Sequence, residues 1–369
     1  MLFRSLIALL FAAISILEDS GYMARAAFLM DWLMHKIGLH GKSFIPMLIG
    51  FGCTVPAIMA TRTLETRRDR LTTMMILPLF SCGARLPIYV LILAAFFPRR
   101  TVFSAFGLFG VTNQALLLFL IYLIGILLAV VWARVFRATL FRGETTPFVM
   151  ELPPYRMPTL KGLAIHVGER TWMFLRKAGT IILLMVVILW ALKSYPRLGA
   201  AEAQGFERQR VAVAARADLA QDEKRPQLAK IDAMEHEAEL ERSAIGRIGK
   251  AIAPILRPCG FDWKISTALL GAFAAKEVFI SQMGVIYAVG SNEDEHSETL
   301  RQKLAENYTP LVGFCVMLFC LVSMPCMATV VVTAREGGSW RWPLLQMTYL
   351  TATAWAVTAA VYQIGSLLG

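Results

Sequence analysis

The sequence predicts an all-α, polytopic transmembrane protein built of two repeats that contain broken or re-entrant helices. Three observations carry this. First, 57% of the 369 residues are hydrophobic and only 17% are charged, and the mean hydropathy is +0.57, well outside the soluble balance. Second, several apolar runs reach or approach the roughly 20 residues a helix needs to cross the hydrocarbon, and none alternates with the period of two expected of barrel strands. Third, glycine and proline interrupt these runs, notably at Gly50-Phe51-Gly52-Cys53-Thr54-Val55-Pro56 and Ser81-Cys82-Gly83-Ala84-Arg85-Leu86-Pro87. Broken backbone at membrane depth is tolerated only where protein buries it or where it lines a wet cavity.

The elements follow in order. The first apolar run, residues 5–17, ends in Glu18-Asp19 and lacks an Ala-x-Ala cleavage site. It is too short to span untilted, which predicts that the chain is the C-terminal piece of a longer protein. Residues 22–37 place Tyr22, Ala26, Leu29, Met30, Leu33 and Ile37 on one face, the pattern of an interfacial or partly buried amphipathic helix. Residues 45–60 are apolar but carry Pro46, Gly50, Gly52 and Pro56, so a broken segment is expected. A hydrophilic hinge with Arg62, Arg67, Arg68 and Arg70 follows. Residues 71–97 form a span interrupted near Cys82, and 114–131 form the cleanest span. Arg134, Arg137 and Arg142 come next. Pro147, Pro153, Pro154 and Pro158 then favour an extended path. A basic helix over 164–177 continues into the membrane over 178–192.

Residues 195–257 are rich in Ala, Glu, Arg, Gln and Lys with sparse apolar positions, and read as a helical hairpin outside the bilayer. Residues 266–289 return to the membrane with Lys276-Glu277 inside an apolar stretch, 292–298 form an acidic loop, and 311–334 and 344–368 are the last spans. The chain therefore divides into a first region (1–142), a proline-rich cytoplasmic connection with a helix (143–177), a span (178–195), a polar helical insertion (196–264) and a second region (265–369). A faint duplication relates the small-residue segments 48–62 and 269–282, each followed by a second interruption at Ser81-Cys82 or Ser323-Met324-Pro325-Cys326. Paired interrupted segments in two halves point to a transport site.

The net charge of +11 does not imply nucleic acid, because the basic residues flank apolar spans as the positive-inside rule expects. The rule sets the hinge at 61–70 and the basic segment at 134–177 on the cytoplasmic side; the insertion after residue 195, whose own charge does not decide its side, is then periplasmic if residues 178–192 cross once. Six cysteines in 369 residues form no disulfide framework. His35, His40, His166, His236 and His296 all lie outside the apolar spans, which argues against a bis-His haem anchor, an intramembrane His-zinc site or a His-dependent hydrolase.

Sulfur is a soft donor suited to late first-row metal ions. Cys53 and Cys82 sit in the two interruptions and are the leading candidate ligands; small packing residues are the alternative. Cys326 follows Pro325, which frees a carbonyl nearby, whereas Cys315 and Cys320 lie in an unbroken apolar stretch and read as packing residues. Glu277 is either a functional intramembrane carboxylate or the partner of Lys276. Glu18 and Asp19 either collect a cation through oxygen ligands or cap the following helix. Arg85, beside the Cys82 interruption, could repel cations, pair with a carboxylate or latch a gate. Pro56, Pro87 and Pro325 mark the gating interruptions themselves.

The run Leu17-Glu18-Asp19-Ser20-Gly21-Tyr22-Met23-Ala24-Arg25-Ala26-Ala27-Phe28 resembles the signature of ferrous iron transport protein B. So do Gly50–Arg62, Ser81–Tyr89, Pro147–Arg156, Ala275-Lys276-Glu277-Val278 and Pro325-Cys326-Met327-Ala328-Thr329, in order along nearly the whole chain. The resemblance implies a multi-pass Fe2+ importer of the bacterial inner membrane, with two gate-type regions similar to those of nucleoside transporters. It also implies a GTP-binding domain upstream or on a separate chain, small accessory proteins of the uptake system, and it leaves a homo-oligomer open. Gly41-Lys42-Ser43 has the tail of a phosphate-binding loop, but Lys36 stands where the leading glycine belongs and no strand precedes it. No nucleotide site or enzymatic activity is expected in this chain. The rival readings are a gate-type carrier of nucleosides or other solutes, and a membrane scaffold for a GTPase.

Overall fold

The computed structural model describes residues 2–105, 109–141, 155, 157, 159–174, 176, 179–196, 199–215, 221–287 and 298–368. The proline cluster expected over 147–158 and the acidic residues Glu293, Asp294 and Glu295 lie outside them. Among the described residues the ordered elements are helices apart from one antiparallel hairpin of β1 (Thr101–Ala105) and β2 (Phe109–Thr112), paired from Thr101↔Thr112 to Ala105↔Phe109 with an irregularity after Thr101. Among the described residues, four stretches are long and apolar enough to cross a membrane: Arg67–Phe96, Asn113–Ala138, Pro310–Gly337 and Arg341–Leu367.

The chain forms two compact units, each assembled from both halves of the sequence. The first comprises Met1–Ala84, Leu118–Leu183 and Leu321–Thr353; the second comprises Arg85–Leu117, Leu184–Cys320 and Ala354–Gly369.

In the first unit, α1 (Leu2–Asp19) packs on α8 (Leu160–Phe174). α2 (Tyr22–Ile37) starts after Gly21 and ends at Gly38, both left-handed. At its start the Tyr22 N–H donates to the Ser20 hydroxyl at 3.4 Å, and Asp19 accepts from Ser15 at 3.5 Å. α2 buries Met23, Ala27, Met34 and Ile37 and exposes Tyr22, Leu29 and Leu33. Most of the apolar stripe thus faces outward, where lipid can cover it, while Ile37 at its end is buried with Met23, Ala27 and Met34. The Gly-Lys-Ser tripeptide forms a short 3-10 turn whose Gly41 N–H is taken by Asp31 at 3.0 Å. α3 (Phe44–Gly52) and α4 (Thr54–Ala60) follow, then α5 (Arg67–Ile76). α5 is capped by Thr66, which accepts from Asp69 N at 3.1 Å and donates to its carboxylate at 2.5 Å. Of the arginines expected in a hinge, Arg67, Arg68 and Arg70 therefore open a helix, and Arg62 lies in the 3-10 turn Thr61–Thr63. α7 (Asn113–Ala138) and α17 (Met327–Gly337) complete the unit with the first part of α18 (Arg341–Leu368).

In the second unit, α6 (Leu86–Phe96) leads to the hairpin, and α9 is Thr180–Ser194. The polar insertion is a pair of helices, α10 (Ala200–Ala215) and α11 (Gln221–Arg242), followed by the amphipathic α12 (Ala244–Leu256), capped by Ser243. Arg210 joins α10 to Asp232 and Glu235 on α11. α12 packs on α13 (Trp263–Ala274), and α14 (Val278–Ile286), α15 (Glu298–Asn307) and α16 (Pro310–Val322) follow. Asp262 caps α13 and also accepts from Tyr308 at 2.8 Å; burial pushes the Tyr308 phenol well above its ordinary range, so it stays a donor. Buried Cys259 likewise has its thiol pushed up to about 11 by burial and donates to Trp355 O at 3.7 Å.

Gly260 turns the chain between α12 and α13 with φ +80°, and a Cβ there would collide with the Tyr362 ring. Gly260→Ala is therefore expected to destabilise by at least the about 1–2 kcal/mol of left-handed strain, read as a lower Tm in detergent.

The two halves share a local order. Gly38 (φ +84°) precedes α3 and Gly260 (φ +80°) precedes α13. Cys53 separates α3 from α4 at φ −153°, ψ 130°, and Ala275 ends α13 at φ −152°, ψ 137°. A second interruption follows in each half, at 80–82 and at 323–326, and a long helix closes each, α7 or α18.

Candidate functional site

The interruptions come from residues that cannot sustain a helical ladder. Cys53 N–H still reaches Ile49 O at 3.0 Å, so α3 closes normally. The next turn fails because Pro56 has no N–H, which strips the Gly52 carbonyl of its i+4 donor. Pro87 does the same to Gly83, and Pro325 to Leu321. The Cys53 interruption thus pairs a thiol with a Gly52 carbonyl that has no α-helical donor, whereas the Gly83 carbonyl is taken up by the 3-10 turn Gly83–Arg85.

Packing brings these interruptions together within the first unit. A Cβ on Gly83 would stand 3.4 Å from Gly52 O, so the Cys82 segment passes directly over the carbonyl that precedes Cys53. Phe51 fixes the crossing: its ring meets Phe80 edge-on at 5.2 Å and stacks on Tyr122 at 6.1 Å. α4, which follows Cys53, packs against α17, which follows Cys326. Cys326 sits 3.2 Å from the Thr329 hydroxyl. Cys53, Cys82 and Cys326 are all half-buried, whereas Cys259, Cys315 and Cys320 are fully buried. The three half-buried thiols are those at the interruptions near Pro56, Pro87 and Pro325; Cys315 and Cys320 are buried within α16 and Cys259 in the turn before Gly260.

The other expected site residues stand on other elements. Glu18 is exposed and Asp19 half-buried at the end of α1. Glu277 is exposed and Lys276 buried at the α13–α14 interruption, and Arg85 is buried; all three belong to the second unit. Among the described residues no group of three or more His, Cys, Asp and Glu side chains stands ready to hold a metal ion. What the arrangement offers is sparser: soft thiols beside a hard backbone carbonyl.

Several functional candidates have no motif. Asp69 pairs with Arg137 at 3.1 Å with both side chains largely buried. Glu336, 8% exposed, receives Arg62 and Arg70. The Arg62 guanidinium is held above its ordinary range by the hydrogen bond to Glu336. Arg137 also donates to Gly38 O and Arg134 to Lys36 O. The Asp69–Arg137 pair thus ties the start of α5 to the end of α7. Gln346, fully buried, bonds the backbone of α5. The signal available for Gln346 was a polar side chain inside an apolar span; the ion pairs, separated by up to 274 residues, left none beyond charge at span ends.

A family model described as the nucleoside-recognition Gate matches residues 3–96 and 175–340. A second, described as the C terminus of ferrous iron transport protein B, matches residues 118–170. The chain is 45% identical, over 98% of its length and 42% of the relative's, to an Fe(2+) transport protein A/Fe(2+) transporter FeoB fusion protein of Porphyromonas gingivalis. It is 42% identical to Fe(2+) transporter FeoB of Leptospira biflexa, over 98% of this chain and 48% of that one. Against Fe(2+) transporter FeoB of Campylobacter jejuni the identity is 38%, over 100% of this chain and 53% of the relative. The chain thus spans about half the length of the curated relatives it matches. No solved structure matches. With the Gate model on both halves and the C-terminal model between them, the chain belongs to the ferrous iron transport protein B family, of which it is the C-terminal part.

Proposed function

We propose that the chain carries Fe2+ across a bacterial inner membrane past Cys53, Cys82 and Cys326, with the Gly52 carbonyl as an accessory oxygen ligand. The observation that carries this reading is the crossing of the Cys82 segment over Gly52 O, which sets two thiol-bearing interruptions side by side. Thiols favour late first-row ions over Mg2+ and Ca2+, which prefer oxygen. Conduction requires an ion held weakly enough to leave, and few, mixed ligands supply that. Glu18, Asp19 and Glu277 serve as carboxylates on the approach, and Arg85 with the prolines 56, 87 and 325 shapes the gates.

GTP enters only through a GTPase domain outside this sequence, upstream or on another chain, that sets the open fraction of the gate. Small accessory proteins belong to the same system, in line with the printed name of the Porphyromonas relative. The lipid bilayer is the constant partner, a homo-oligomer is part of the reading, and nucleic acid is not.

The test is flux through the purified chain in liposomes containing an Fe2+-sensitive dye, with and without a GTPase partner. Fe2+ is expected to enter and to be outcompeted by neither Mg2+ nor Ca2+ in large excess. A parallel arm uses radiolabelled nucleosides, since the Gate description concerns nucleoside recognition. Nucleoside entry without Fe2+ flux would reassign the cargo.

A further inference from the structure

We propose that Glu336 is the hub of an ion-pair latch that holds the Cys53- and Cys326-bearing interruptions closed. The inference rests on the reading of these interruptions as an ion path. α4 is a short helix between two discontinuities: extended Cys53 before it and the 3-10 turn Thr61–Thr63 after it. α17 is another, between the non-helical segment 323–326 and Gly338, whose φ of +70° ends it. The two short helices pack on each other. Neither is continuous with a long helix that would fix its tilt.

Their far ends are tied by charge. Arg62, in the turn that ends α4, gives its guanidinium in a two-pronged contact to the Glu336 carboxylate in the last turn of α17, with Arg62 Nε at 2.8 Å from Oε2. Arg70, on α5, adds bonds to Glu336 Oε2 at 2.6 Å and to its carbonyl at 3.1 Å. α5 is itself anchored, because Asp69 pairs with Arg137 of α7 and Thr66 caps its first turn. The arrangement is thus a fixed post (α5 with α7) and two hinged arms (α4 and α17) joined at one carboxylate. A carboxylate between two guanidiniums is stabilised by charge-assisted, fork-shaped bonds. A modest bias, such as an anionic group competing for Arg62, which is half-exposed, would release one arm while Arg70 retains the other.

The experiment reads the latch through the native thiols rather than through iron. Full-length chain in liposomes is treated with a membrane-impermeant maleimide, and the labelling rates of Cys53 and Cys326 are followed by mass spectrometry. Glu336→Gln is expected to raise both rates at least about fivefold, and Glu336→Asp, which keeps the carboxylate, to stay close to the native rate. Arg62→Gln removes the α4 arm alone and is the second variant should Glu336→Gln fail to fold; it is expected to raise Cys53 labelling more than Cys326 labelling. Folded Glu336→Gln or Arg62→Gln protein with native labelling at both thiols overturns the latch. Faster labelling supports it whatever the Fe2+ flux does, so loss of the iron reading and loss of the latch are separate results.

Discussion

Replacing Cys53 and Cys82 together by serine is expected to lower Fe2+ uptake at least about tenfold at unchanged protein level, the factor that corresponds to about 1.4 kcal/mol of lost stabilisation along the path. Serine keeps nearly the volume of cysteine, so a purely packing role predicts almost no effect. As a ligand the change is large: a soft sulfur becomes a hard oxygen that cannot favour a late first-row ion over Mg2+ or Ca2+. The effect should therefore appear in selectivity as well as rate, with the Fe2+-to-Mg2+ flux ratio falling further than the Fe2+ rate. The geometry sets the choice of pair. Cys53 and Cys82 lie on segments in direct contact through Gly52 and Gly83; if both serve one ion, as proposed, their combined loss should fall short of the product of the single effects. Cys315→Ser is the control, being buried well inside α16; it should leave the flux ratio unchanged. Full uptake and native selectivity by the double variant would remove the thiols from the path and leave only the Gly52 carbonyl and the fold.

The legible part of this protein is the part written in short-range chemistry. Pro56, Pro87 and Pro325 cannot donate a backbone hydrogen bond, and Gly50, Gly52 and Gly83 weaken helix locally, so the interruptions at Cys53, Cys82 and Cys326 could be placed from the sequence. The bounds of α2 follow from the Gly21 and Gly38 punctuation in the same way. Its orientation does not, because in a bilayer an apolar stripe is as well satisfied by lipid as by protein, and periodicity cannot tell the two apart. The β1–β2 hairpin was missed because Thr101–Thr112 is too short to show alternation against its apolar surroundings. Arg62, Arg70 and Arg137 were visible only as positive charge beside spans. Their partners Glu336 and Asp69 are acidic residues whose proximity depends on tertiary packing that no local pattern encodes. The interleaving of both halves of the sequence in each unit is likewise a property of packing.

Gln346→Leu is expected to lower stability by about 2–4 kcal/mol, the sum of one or two buried backbone acceptors left without their donor, measured as thermal unfolding in detergent or as loss of folded protein in the membrane. The reason lies in α5. Pro78 has no N–H, so Met74 O loses its i+4 donor where the helix tightens into the 3-10 turn Leu77–Leu79. α18 supplies replacements: Gln346 Nε2 donates to Met74 O at 2.8 Å and to Met75 O at 3.4 Å, and the Tyr349 hydroxyl donates to Met75 O. Gln346 Oε1 in turn accepts from Thr333 of α17 at 3.3 Å. One fully buried amide thus braces the interrupted span that leads to Cys82 and joins it to the helix that follows Cys326. Leucine fills the space but donates nothing, and neither lipid nor buried protein offers Met74 O a substitute. Gln346→Glu should be at least as costly, since it loses the same donors and buries a carboxyl group. Tyr349→Phe should cost less, about 1 kcal/mol, because Gln346 still reaches Met75 O. That ordering separates the brace from simple packing, under which Leu and Glu would differ sharply and the phenylalanine would be neutral. Because the brace fixes where α5 ends, the Leu variant should also lose Fe2+ flux in the fraction that folds, through a Cys82 segment no longer held over Gly52.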